Sequence, residues 1–118
     1  VTSLPNQVNF ATAAGSQWAQ TFSMPTVDIT GLAWEFVIRP TVTDAAIPPL
    51  VKVTTTVSAQ GQITVDTVAK TVQVVLTPTA TSVLQKGARP YALWSNPGTT
   101  TATTWCEGVF NTALVPAP

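Results

Sequence analysis

From Leu32 to Arg39 the chain alternates strictly. Leu32, Trp34, Phe36 and Ile38 fall on one side of an extended backbone, and Ala33, Glu35, Val37 and Arg39 on the other. A period of two with two large aromatic side chains on one face predicts a strand laid against a hydrophobic centre, because Trp34 and Phe36 each bury a large apolar area. Asp28-Ile29-Thr30-Gly31 precedes it as a turn, in which Asp28 can bond nearby backbone and Gly31 can take a positive φ. Pro40 closes the strand.

Weaker alternation elsewhere predicts six further strands. Gln17 to Met24 is the first, with Trp18, Phe22 and Met24 on one face, Gln20 interrupting it and Pro25 ending it. After the Trp34 strand, Pro40 to Pro49 forms a loop with Asp44 at its tip. Leu50 to Val57 is the third strand, with Val51, Val53, Thr55 and Val57 on a common face, and Ser58 to Gln62 turns the chain at Gly61. Ile63 and Val65 mark a short fourth strand, Asp66 to Lys70 returns the chain, and Thr71 to Leu76 is the fifth. Thr77 to Leu84 breaks the rhythm and has room for one helical turn. Arg89 to Ser95 and Trp105 to Phe110 are the sixth and seventh strands, separated by the Asn96-Pro97-Gly98 turn and a polar tip. Such spacing belongs to an all-β domain of two packed antiparallel sheets or a barrel. Residues 1–15 read as an extended N-terminal arm, 16–112 as the domain and 113–118 as a Pro-ended tail.

The 118 residues suffice for one core, and the unusual quantity is charge: 8% of residues, against about 25% in an average protein. Net charge is zero and there is no Lys/Arg run, so nucleic-acid binding lacks its main source of affinity. No apolar run approaches a membrane span, and no signal segment is visible, which implies a soluble chain with no membrane partner. Histidine is absent, so neither a Ser or Thr hydroxyl nor Cys106 has the usual general base. Cys106, the single cysteine, reads as a core filler, and the scattered carboxylates Asp28, Glu35, Asp44, Asp66 and Glu107 show no calcium spacing. A glycosidase would need two carboxyl groups facing each other, and Glu35 and Glu107 could meet if their strands pair, but Arg39 and Lys52 are just as available for a surface ion pair. The expectation is a protein that is not an enzyme and has no catalytic residue, metal ligand or cofactor.

The order of these features resembles the immunoglobulin-like domain of phage upper baseplate and minor tail proteins. Asp28 to Gly31 matches that module's opening turn, and Trp34 to Pro40 its aromatic strand ending in Arg-Pro. Val53-Thr54-Thr55-Thr56, Ile63 to Asp66, Val72 to Thr77, Tyr91 to Trp94 and Glu107 to Phe110 follow in the module's order, over about residues 17 to 112. The resemblance implies an immunoglobulin-like β-sandwich of about seven antiparallel strands. It also implies a structural subunit of a tailed-phage virion, most simply a minor tail protein of the baseplate or tail tip. Its partners would then be other virion proteins and copies of itself. A capsid decoration protein, or a carbohydrate- or receptor-binding module at the host surface, is the alternative. Candidate partner-binding residues are Val8 and Phe10, whose arm has too few apolar residues to pack alone, and Trp94. Trp94 alternates with Tyr91 and Leu93, so either it or they face outward.

Overall fold

A computed structural model of the chain describes residues 6–23, 28–40 and 48–116. In chain order the elements are β1 (Asn6–Gln7), β2 (Phe10–Ala13), β3 (Trp18–Ser23), β4 (Trp34–Ile38), β5 (Val51–Thr54), β6 (Gly61–Asp66) and β7 (Thr71–Leu76). Helix α1 (Pro78–Leu84), β8 (Gly87–Ser95) and β9 (Thr103–Ala113) complete them. Met24, Pro25 and Asp44, assigned above to a strand face, a strand end and a loop tip, and residues 1–5 of the arm lie outside the described residues.

Two sheets face each other. The larger runs β1-β9-β8-β4-β5, with β2 also on β9, and the smaller runs β3-β7-β6. Their inner faces enclose one core in which Trp34, Phe36, Ile38, Val51, Val53, Ile63, Leu76, Leu93 and Phe110 are at most 2% exposed. Trp18 from the small sheet meets Phe110 edge-on at 5.0 Å between ring centroids, and Phe36 stacks on Tyr91 at 5.4 Å. Both pairs add to area burial, and the Trp18–Phe110 pair, which spans the two sheets, fixes them relative to one another. The sandwich and its Trp34 centre are as the alternation predicts.

Three departures from the sequence reading have physical causes. Residues 6–13, expected as an arm leaving the domain, pair with β9 instead, Asn6 opposite Cys106 and Phe10 opposite Phe110. Pairing there satisfies the outer edge of β9, and it is parallel, so the strands are neither seven nor all antiparallel. With β1 and β2 taken as halves of one interrupted strand, the count is about eight. The third strand ends at Thr54, because the Thr54 hydroxyl accepts the Thr56 amide at 3.2 Å and turns the chain, leaving Val57 70% exposed. Finally, Val37 points away from the core yet is buried, held between Lys52 and Ala92 on neighbouring strands.

The helical turn expected before Gln85 is α1. The Thr77 hydroxyl caps its first turn at the Ala80 amide, and Pro78 starts the helix where no N–H is needed. Ala80, Thr81 and Leu84 bury its inner face. Thr81 accepts the Gly15 amide at 3.1 Å and donates to the Ser16 carbonyl at 2.8 Å, which ties the β2–β3 turn to the helix.

Candidate functional site

A cleft opens along the seam where the two sheets present neighbouring edges, β1 of the large sheet and β3 of the small one. It encloses about 370 Å³ and is lined by Gln7, Val8, Phe10, Gln20 to Ser23, Trp105 and Cys106. None of these side chains is charged.

The cleft exists because the edge strand breaks at Val8 and Asn9. Asn9 turns its side chain back to accept the Val109 amide at 3.0 Å, and the Val8 carbonyl accepts the buried Tyr91 hydroxyl. Gly108 makes this crossing possible: at φ +157°, a Cβ there would sit 2.2 Å from the Val8 carbonyl oxygen. Val8 is left 42% exposed at the cleft. Phe10 turns inward, edge-on to Trp18 at 5.2 Å and to Phe22 at 5.9 Å, and forms the floor. Beside β1, on β9, a bulge opposite Leu93 and Trp94 leaves Trp105 as an extra residue. Its ring reaches the cleft while its indole N–H donates to the Ser95 hydroxyl at 2.8 Å.

Tyr91 and Cys106 lie beneath this wall, hydroxyl to sulfur 3.2 Å. Burial, and after it the hydrogen bond with Cys106, push the Tyr91 phenol above its ordinary range. Both groups serve the fold, Tyr91 by holding Val8 and Cys106 by filling the core.

A second depression, of about 420 Å³, lies on the outer face of the large sheet. Glu35, Val37, Arg39, Lys52, Trp94, Pro97 and Gly98 line it. Register explains the grouping: Glu35 lies opposite Trp94 on one side and Thr54 on the other, and Lys52 and Ala92 flank Val37. The alternation in β8 is thereby resolved, with Tyr91 and Leu93 buried and Trp94 outward. Lys52 Nζ is 3.6 Å from Glu35.

Val8 and Phe10 therefore share one cleft, while Trp94 belongs to the other depression. Glu35 and Glu107 are not brought together as a facing pair. Glu35 pairs with Lys52, and Glu107, opposite Ala92, accepts the Gln7 side-chain amide at 3.4 Å. No group of three or more metal-ligating side chains occurs among the described residues. Sequence reasoning missed Gln7, Gln20 to Ser23 and Cys106 as cleft residues. The missing signal is the pairing of β1 with β9, one hundred residues apart in sequence. No protein-family model matches the chain, and a search of curated proteins finds no relative.

Proposed function

We propose that this chain is a non-catalytic structural subunit of a tailed-phage virion, a minor tail protein of the baseplate or tail tip that acts by binding neighbouring proteins. One observation carries the binding part. Strand β3 ends its sheet with six residues, Trp-Ala-Gln-Thr-Phe-Ser, that include no charge and no proline. Natural sheets guard such edges against pairing with Lys, Pro or bulges. An unguarded edge beside an uncharged cleft suits a surface that is covered in use. The virion part rests on the order of motifs from Asp28 to Phe110.

A reconstruction of the virion that carries the chain tests this reading. Density for the sandwich at the tail tip, with the β3 edge against a neighbour, is the expected result. Density on the capsid surface would replace the tail assignment with a decoration role, and absence from the particle would overturn both. A second reading, a carbohydrate-binding module, is favoured by Trp94 beside Glu35 and Lys52 in an open depression, an aromatic plane next to hydrogen-bonding groups. Calorimetric titration with host-surface glycans, lost in Trp94→Ala, would support it in place of assembly.

A further inference from the structure

We infer that Gln60 withholds the β5 edge of the large sheet from strand addition by standing in for a neighbouring strand, which keeps β5 from competing with β3 for a partner. The inference rests on the assembly reading above in taking a sheet edge as the binding surface, and it is independent of where in a virion the chain resides.

β5 and the β1–β2 strand end the large sheet, and β3 and β6 end the small one. Four residues long and free of proline, β5 carries one charge, Lys52, whose ammonium is drawn onto the outer face by Glu35, 3.6 Å away. Its backbone is covered by a side chain instead. Gln60 Nε2 donates to the Leu50 carbonyl at 3.3 Å, and Gln60 Oε1 accepts the Lys52 amide at 3.0 Å. A carboxamide has the donor and the acceptor of a peptide group, and here it takes the two groups flanking Val51 that an added strand would bond. Gln62 makes a further tie across the same seam, its Nε2 donating to the Thr55 carbonyl at 3.2 Å.

The turn holds Gln60 in place. Its amide donates to Ser58 Oγ at 3.2 Å and its carbonyl accepts the Thr77 amide at 3.0 Å. Gly61 beside it packs so closely on β7 that a Cβ there would lie 1.9 Å from the Val75 carbonyl oxygen. With the turn fixed, the carboxamide is pre-organised over the β5 edge. An incoming strand would break two hydrogen bonds here to form two, a nearly even exchange that leaves little to offset the entropy of association. On β3 the balance differs. Among the described residues its backbone receives a side-chain hydrogen bond from Gln20 of the same strand and from no other element.

Sedimentation of the full chain over a range of concentrations tests the inference. Gln60→Ala leaves the Leu50 carbonyl and the Lys52 amide to the edge of a second copy, and is expected to tighten self-association about tenfold or more over the native chain. Lys52→Pro removes the amide itself, and because that N–H points away from β4, proline breaks no ladder bond. Added to Gln60→Ala, it should return association to the native level, and alone it should leave that level unchanged within about twofold. A Gln60→Ala protein with a cooperative melting curve that associates like the native chain would make Gln60 a structural tether alone and overturn the proposal. So would a double variant that associates as Gln60→Ala does. Weakened association of the Lys52→Pro variant would also overturn it, by showing β5 in use with Gln60 present, and this arm decides even where Gln60→Ala does not fold. The virion reconstruction reads the β3 contact by itself, so the two readings fail separately.

Discussion

Gly108 and Tyr91 hold the edge-strand break from opposite directions. Gly108 leaves room for the Val8 carbonyl, and Tyr91 donates to it. Gly108→Ala introduces a Cβ where no backbone adjustment is cheap, at a φ that alanine avoids. We expect a loss of more than about 1 kcal/mol in denaturant unfolding, with amide exchange of residues 6–8 accelerated before the rest of the sheet. Unchanged exchange there would show that the crossing does not depend on the glycine. Tyr91, the single tyrosine, gives a second readout. Because its folded pKa is raised, chiefly by burial, its contribution to stability is fully present below the unfolded value of about 10 and is lost as pH rises above it. The tyrosinate absorbance band should therefore appear together with unfolding on alkaline titration, and ionisation in a still-folded protein would contradict the placement of the hydroxyl.

Among the elements, β4 and β7 were legible because their side chains alternate between core and outer face over a full strand, with Phe36, Ile38, Val72, Val74 and Leu76 all buried. The β1–β2 edge was not legible. Val8 and Phe10 are the only large apolar residues in it, and what makes it a strand is the backbone of β9, which no local pattern announces. The candidate site inherits the same limit: Val8 and Phe10 stand out by their lack of local partners, whereas the rest of the lining, on β3 and at the Trp105 bulge, is brought in by tertiary pairing. Phe10 is the test of this edge, since it reaches Trp18, Phe22 and Tyr91 at 5.2, 5.9 and 5.3 Å. Half-buried, it should cost about 2 kcal/mol on truncation to Ala, below the 3–5 kcal/mol of a fully buried Phe. Trp34→Ala, at 2% exposure, should cost about 3–5 kcal/mol. Chemical denaturation of both variants gives the ranking, and a Phe10 effect near zero would return residues 6–13 to the status of a loose arm.

Across the whole molecule the few charges are unevenly placed, and this distinguishes the two candidate surfaces. Glu35, Arg39 and Lys52 line the Trp94 depression, whereas the β1–β3 cleft has no charged lining residue. Ion pairing through the outer face would weaken as salt is added, because the screening length falls from about 10 Å at 0.1 M to about 3 Å at 1 M. Burial of the uncharged cleft has no such term, and an excluded salt such as sulfate strengthens it. We therefore expect self-association, measured by sedimentation, to change less than about twofold as sodium chloride rises from 0.1 to 1 M, and to tighten in sulfate. A steep decline with sodium chloride would move the interface to the outer face. Charge reversal at Lys52, exposed and paired with Glu35, would then disrupt it, while Val8→Lys at the cleft would leave it intact.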